Sequence, residues 1–273
     1  MEAYLINILL YFMTGILAGA MAGLFGLGGG IVIVPALSYI FLNAPHIPND
    51  HIMHMAAGTS LAAMVITVQA SARAHYSHGR ILWPVYKRMM PGLIIGTLFG
   101  VFLADNLNTQ ILRLIFSFLL IFIALRMIIK EQLSKASRLP GRTAMVSASS
   151  AIGTTAGLLG IGGGVLMIPY LTHYNIPMRN TAGVSSVSSF TVALIGSIAC
   201  VITGLDELDL PKWSTGYIYW PAVLSIVVTS SVAAPIAAKH AYRLPVNTLK
   251  KLFALILMII GTHMLFYSLK GIL

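Results

Sequence analysis

Long apolar runs alternate with short polar stretches along nearly the whole chain. A helix rises about 1.5 Å per residue, so it needs about 20 apolar residues to cross a hydrocarbon core of about 30 Å. The pattern predicts two sets of five helical segments, near residues 4–24, 31–42, 52–72, 84–104 and 109–129, and near residues 143–159, 165–174, 181–203, 215–238 and 247–269. The sequence therefore predicts an all-α polytopic membrane protein, and it shows no short alternating segments of the kind that form barrels.

Each half contains one short segment that follows a run of glycines. Residues 23–42 and 157–176 are identical at eight of twenty positions. The short segments at 31–42 and 165–174 would reach about 18 Å or less, too little to cross the core alone. Glycine lets the backbone unwind, and unwound backbone inside a membrane must be packed in protein or line a polar cavity. Two such breaks at matching places indicate the substrate site of a transporter.

The charges between the segments predict how the two halves are related. The stretch that follows the third segment is basic in the first half, with Arg73, Arg80, Lys87 and Arg88, and mainly acidic in the second, with Asp206, Glu207, Asp209 and Lys212. Because basic loops stay in the cytoplasm, matching loops of opposite charge face opposite sides of a membrane. We therefore expect two inverted repeats, residues 1–130 and 143–273, joined by a basic cytoplasmic connector at 131–142, with both termini outside.

Composition narrows the functional class. Hydrophobic residues make up 58% of the chain and charged residues 9%, whereas a soluble domain has about 25% charged residues. We interpret the net charge of +10 as topology signals in cytoplasmic loops and not as a nucleic-acid surface. The single cysteine, Cys200, excludes an internal disulfide. No enzyme or nucleotide-binding motif is present, so we expect no catalysis and no cofactor, and transport would be uniport or driven by a gradient.

The acidic residues argue against a cation as the substrate. All seven fall in termini, loops or segment ends, whereas cation sites and proton relays inside membranes usually need carboxylates. The spacing of His46, His51 and His54 could suit a surface metal, but Asp50 is the one acid near them, and no metal site is predicted.

Glycine backbone and hydroxyl groups offer the donors that a small anion needs. Thr181, Ser185 and Ser189 are four residues apart, so they share one helical face, and Thr59 and Ser60 are the counterpart in the first half. Helix N-termini add N–H donors and positive potential. The predicted substrate-binding residues are Gly28, Gly29, Gly30, Thr59, Ser60, Gln69, Gly162, Gly163, Gly164, Ser185, Ser186 and Ser189. The alternative is that these small residues serve only to bring helices close together.

The paired glycine runs, together with Ala57-Gly-Thr-Ser60 and Ala182-Gly-Val-Ser185, resemble the TauE/SafE family of sulfite exporters over nearly the whole chain. The resemblance implies a transporter of the cytoplasmic (inner) membrane that moves sulfite, sulfoacetate, other organosulfonates or similar small anions. It also implies that the glycine runs, Thr59, Ser60, Ser185 and Ser186 line the cavity.

We expect a secondary transporter of small anions, an exporter, that works by alternating access between its two halves. An anion channel and a membrane scaffold or accessory protein without transport of its own are the alternatives. The expected partners are a small anion and the lipid bilayer, and the sequence does not decide whether two copies form a homodimer.

Overall fold

A computed structural model describes residues 2–25, 28–44, 47–128, 139–241 and 246–270. The helices of this part of the chain are α1 (Glu2–Phe25), α2 (Gly30–Leu42), α3 (Ile52–Ser77), α4 (Trp83–Asp105), α5 (Thr109–Ile128), α6 (Arg142–Leu159), α7 (Gly164–His173), α8 (Met178–Thr203), α9 (Trp220–Ala241) and α10 (Val246–Lys270). A short 3₁₀ helix, Asn49–His51, precedes α3. Strands β1 (Ser214–Thr215) and β2 (Ile218–Tyr219) form an antiparallel hairpin before α9.

The prediction of a helical, multi-pass membrane protein is confirmed. Six helices of the described chain are long and apolar enough to cross a membrane, at Ile6–Gly23, Asn49–Ser77, Trp83–Asp105, Thr109–Arg126, Asn180–Thr203 and Trp220–Ala237. The two segments that were expected to be short are α2, with 13 residues, and α7, with 10. Large apolar side chains such as Ile95, Phe99 and Phe118 are exposed on the outer helix faces, where lipid would cover them.

Three stretches depart from the sequence expectation or lie beyond it. Helix α3 continues to Ser77, so Arg73 lies near its end and not in the following loop. The segment expected at 215–238 begins as a helix only at Trp220, because the residues before it form the hairpin. The hairpin turn contains Gly216 at a φ of 53°, a conformation that ends helical periodicity. Most of the connector predicted at 131–142 lies outside the described residues.

Small residues bring two pairs of helices into close contact. A Cβ atom on Gly15 of α1 would lie 2.6 Å from the carbonyl oxygen of Ile226 in α9, and one on Gly19 would lie 2.7 Å from the Cα atom of Ser230. Helix α4 meets α6 in the same way, through Gly92, Gly96 and Gly100 against Val146, Ser150 and Thr154. This four-residue spacing of small residues is typical of membrane helix pairs. In both pairs the residue numbers rise together, so the paired helices run in the same direction.

The two ends of the helix bundle differ in charge. The end where α3 begins and α4 ends is called the acidic end here, and it carries Asp50, Asp105, Asp206, Glu207 and Asp209. The opposite end is called the basic end, and it carries Arg80, Lys87, Arg88 and Arg142.

Candidate functional site

The two glycine runs form the tips of two helical hairpins, and the tips meet at one side chain. The first tip joins α1 to α2, and the second joins α6 to α7. A Cβ atom on Gly28 would lie 2.5 Å from the methyl carbon of Met64, and one on Gly30 would lie 2.6 Å from its sulfur atom. A Cβ atom on Gly162 of the second tip would collide with the same methyl carbon. Met64 lies in the middle of α3 and is fully buried, so the tips meet deep inside the bundle.

Each short helix turns back toward the end from which its hairpin comes. The ring of Tyr11 in α1 lies 6.4 Å from the ring of Phe41 near the end of α2, and 6.4 Å from that of Tyr219 at the acidic end. At the other end, α8 follows α7 after residues 174–177, and its Asn180 donates a hydrogen bond to the carbonyl oxygen of Arg80 at 3.3 Å. Helices α2 and α7 are therefore re-entrant, and neither continues the span before it.

The backbone at both tips requires glycine. Gly28 has a φ of 81° and Gly162 a φ of 70°, in the left-handed region that residues with a Cβ atom enter only at a cost. At both positions a Cβ atom would also occupy the space of the Met64 side chain. The glycines at these two positions are thus explained by conformation and by packing together.

The tips place two helix N-termini near the middle of the bundle. Helix α2 begins at Gly30 and α7 begins at Gly164, and neither start is capped by a side-chain hydrogen bond. The first N–H groups of a helix have no partner within the helix, and they carry positive partial charge. This arrangement can bind an anion by backbone donors alone.

A serine face of α8 lies beside the second tip. The side chains of Ser185, Ser188 and Ser189 are fully buried, and their hydroxyl groups have no hydrogen-bond partner among the described residues. Buried hydroxyls are normally paired, because an unpaired one loses its bonds to water without compensation. The Cβ atom of Ser189 lies 3.7 Å from the Cβ position of Gly162. Ser189 therefore offers an unused donor next to the tip.

Other hydroxyls of the predicted site have partners within the protein. Ser60 donates a hydrogen bond to the carbonyl oxygen of Gly160 at 2.8 Å, and Thr59 accepts one from the backbone N–H of Tyr219 at 3.0 Å. Ser186 donates to the carbonyl oxygen of Ala182 at 2.9 Å, and its oxygen lies 3.2 Å from that of Ser71. The contacts of Ser60, Thr59 and Ser71 join the two halves, whereas the bond from Ser186 to Ala182 lies within α8.

The remaining predicted residues lie around this centre. Gln69 is partly exposed on α3, and its side chain makes no hydrogen bond to a described residue. A Cβ atom on Gly163 would have ordinary contacts, the nearest at 3.5 Å. The structure thus brings Gly28, Gly30, Gly162 and Ser189 together around Met64. Their role in binding stays a prediction.

Met64 was missing from the predicted site. It follows Ser60 by four residues, so the two side chains share one face of α3, and this spacing was the available signal. A methionine in an apolar run is usually a core residue, and nothing in the sequence marked this one as the meeting point of the two glycine tips.

Comparison with known proteins identifies the family. Residues 11–264 match the family described as "Sulfite exporter TauE/SafE". A "Probable membrane transporter protein" of Haemophilus influenzae is 35% identical over 260 residues, which cover 94% of this chain and 97% of that protein. A protein of Methanocaldococcus jannaschii with the same description is 28% identical over 89% of this chain and 88% of its own length. "Probable membrane transporter protein YunE" of Bacillus subtilis is 23% identical, over 93% and 96%.

No solved structure matches this chain. The family and the relatives are membrane transporters and not enzymes, which confirms the expectation from the motifs. The chain therefore belongs to the TauE/SafE sulfite exporter family and is a multi-pass integral membrane transporter.

Proposed function

We propose that this protein is a secondary transporter that exports small sulfur oxyanions or organosulfonates, such as sulfite or sulfoacetate, across the cytoplasmic membrane. The observation that carries the proposal is the meeting of two uncapped helix N-termini at Met64, beside the unpaired, buried hydroxyl of Ser189. Backbone N–H groups and serine hydroxyls are donors that suit sulfonate and sulfite oxygens.

The charges of the bundle support an anionic substrate. The described acidic side chains lie at the acidic end, so they do not oppose negative charge at the tips. Two helix dipoles add positive potential without a lysine or arginine that would hold the anion too tightly for release.

The packing at the tips supports a carrier over an open channel. The Met64 side chain fills the space between the two tips, so an anion can enter only when that side chain moves. The bonds from Ser60 to Gly160 and from Tyr219 to Thr59 join the two halves on the acidic side of the tips. Alternating access would require such contacts to open on one side at a time.

The hairpin directions support an inverted relation between the halves. The first hairpin comes from the acidic end, because the rings of Tyr11 and Phe41 both contact the ring of Tyr219 there. The second comes from the basic end, since α6 begins at Arg142 beside the start of α4. We therefore place the basic end in the cytoplasm, and the acidic end and both termini outside, as the loop charges predict.

The first test removes the unpaired donors. We expect the double variant Ser185→Ala, Ser189→Ala to bind substrate at least about 10-fold to 100-fold more weakly, because each lost hydrogen bond to a charged group contributes about 1.5–3 kcal/mol. The measurement is counterflow of labelled sulfite in proteoliposomes. Ser197→Ala is the matched control, since its hydroxyl lies on the same helix and is already paired with the carbonyl oxygen of Leu194. Unchanged affinity in the double variant would mean that the serine face is helix packing only.

The same preparation separates the alternatives. A carrier exchanges labelled for unlabelled substrate in counterflow, whereas a simple pore does not concentrate the label. A scaffold without a substrate should not be stabilised by any anion, whereas a ligand at 100 times its dissociation constant stabilises a folded protein by about 2.7 kcal/mol. Thermal unfolding with sulfite, sulfate, thiosulfate, sulfoacetate, taurine and acetate, at constant ionic strength, makes this comparison.

A further inference from the structure

A second polar cluster lies at the acidic end, apart from the glycine tips. The hydroxyl of Tyr217 donates a hydrogen bond to the carboxylate of Asp105 at 2.9 Å, and a carboxylate oxygen of Glu207 lies 3.5 Å from the same hydroxyl. The Nε2 atom of His51 lies 3.4 Å from an oxygen of Glu207. The ring of Tyr217 also contacts the rings of His51 and His54, with centroids 5.8 and 5.2 Å apart. Because Glu207 and Tyr217 belong to the second half and the other residues to the first, the cluster closes a contact between the halves.

The hydrogen bonds of the two histidines fix where each holds its proton. The Nε2 atom of His54 lies 2.9 Å from the carbonyl oxygen of Ala104, which can only accept, so this nitrogen carries the hydrogen. The same reasoning applies to Nε2 of His51, which faces the carboxylate of Glu207. In the neutral rings Nδ1 is then the basic atom. Both Nδ1 atoms are buried and have no hydrogen-bond partner among the described residues.

A small cavity adjoins this cluster. Its volume is about 10 Å³, room for about one water molecule, and its walls include His54, Asp105, Cys200, Thr203 and Tyr217. The hydroxyl of Thr203 has no partner among the described residues. The cavity therefore brings His54, Asp105 and Tyr217 of the cluster to one small space with an otherwise mainly apolar wall.

We propose that His51 and His54 form a proton-binding gate, in which a proton on Nδ1 opens the contact between the two halves at the acidic end. This inference rests on the proposed transporter and names the proton as its coupling ion. A proton on either Nδ1 creates a charged donor at a buried atom that has no hydrogen-bond partner among the described residues. When both rings are protonated, two positive charges lie 5.9 Å apart and repel each other. The contact between His51 and Glu207 opposes opening only weakly, since that carboxylate is 39% exposed.

The groups around the two histidines are few and mostly uncharged. Asp105 of α4 and Cys200 of α8 line the cavity beside His54. Asp50 precedes His51 in the chain, and α5 and α6 line the cavity with the apolar or small residues Leu112, Gly157 and Leu158. The guanidinium of Arg113 lies over the ring of Tyr267, 5.5 Å from its centroid. Burial raises the pKa of Tyr217, so it remains a neutral donor throughout the range in which histidines titrate.

The single cysteine provides a direct readout of opening. Cys200 is 5% exposed and lines the cavity, so N-ethylmaleimide can reach its thiol only when the acidic end opens. We would measure the labelling rate of the purified full-length protein between pH 8 and pH 5.5, in wild type and in the double variant His51→Gln, His54→Gln. Glutamine keeps an N–H donor but does not titrate. At each pH we divide the wild-type rate by the rate of the variant, and we normalise this ratio at pH 8. Because both proteins lose thiolate alike at low pH, that loss cancels in the ratio.

The expected result is a ratio that rises on the order of tenfold by pH 5.5, since each bound proton changes the open-to-closed ratio by at most about tenfold per pH unit. His78→Gln, at the basic end, should follow the wild type. A ratio that stays flat, or that falls with acid, overturns the gate. If the double variant does not fold, the two single variants give the same comparison.

No substrate is present in the labelling experiment, so its outcome does not depend on the proposed transport. A protein without counterflow would refute the transporter and leave the gate standing if the ratio rises. Normal counterflow with a flat ratio would refute the gate alone.

Discussion

Replacing Gly162 by alanine tests whether the second glycine tip is built as described. Alanine at a φ of 70° costs about 1–2 kcal/mol. The new Cβ atom would also displace the methyl carbon of Met64, and a side chain forced off its preferred rotamer costs about 0.5–1.5 kcal/mol. We therefore expect Gly162→Ala to lower the free energy of unfolding by about 1.5–3.5 kcal/mol, the sum of both effects.

The neighbouring glycine is the matched control. Gly163 has a φ of −68°, and a Cβ atom there would meet its nearest neighbour, a methyl group of Val192, at 3.5 Å. Gly163→Ala should therefore change the free energy of unfolding by no more than about 0.5 kcal/mol. The assay is unfolding of both detergent-purified variants by sodium dodecyl sulfate in mixed micelles.

A third variant separates the two contributions. Met64→Ala removes the side chain that a Cβ atom on Gly162 would displace. The double variant Gly162→Ala, Met64→Ala should therefore lose about 0.5–1.5 kcal/mol less free energy of unfolding than the sum of the two single changes. The backbone strain would remain, because it does not depend on Met64. Equal stability of Gly162→Ala and Gly163→Ala would refute both the left-handed tip and its contact with Met64.

Three further changes test the contacts around the tips and at the acidic end. Ser60→Ala removes the donor to the carbonyl oxygen of Gly160 and should cost about 1–3 kcal/mol in the same assay, whereas the exposed Ser147→Ala should be close to neutral. Gly96→Val should separate α4 from α6 and lower the thermal unfolding temperature sharply; Gly141→Ala, where a Cβ atom meets nothing within 4 Å, should not. Burial raises the pKa of Tyr217 above its ordinary value of 10.0, so the folded protein keeps a proton that the unfolded chain releases, and stability should fall as the pH rises above about 10. Tyr217→Phe should remove this fall, measured as the difference between the unfolding curves of variant and wild type from pH 8 to pH 11.

The long helices could be predicted closely because the thickness of a bilayer sets their length, and the short α7 because a glycine run marks where it begins. The segment expected at 84–104 is α4 at Trp83–Asp105, and the one expected at 165–174 is α7 at Gly164–His173. The contacts that build the candidate site could not be predicted in the same way. The bond from Ser60 to Gly160 joins residues that lie 100 positions apart, and it exists because α3 passes between two hairpin tips. Hydrophobic periodicity gives the buried face of a helix but not the identity of its neighbour.

The β-hairpin shows a second limit of the sequence pattern. Tyr217, Ile218 and Tyr219 continue directly into the apolar start of α9, so the apolar pattern extended the predicted helix back into the hairpin. The positive φ of Trp213 and Gly216 stops the helix and places Tyr217 against Asp105. Turn geometry of this kind depends on the local backbone conformation and on the residues against which the turn packs.

The pairing of α1 with α9 and of α4 with α6 means that the two halves of the sequence are interlocked. Each hairpin packs on a long helix of the opposite half, and α3 with α8 and α5 with α10 also pair across the halves. Neither half can bury its own helices alone, so a gene split at the connector should give a stable protein only when both fragments are produced together. The pairing of helices across the halves thus makes each half depend on the other for the burial of its helix faces.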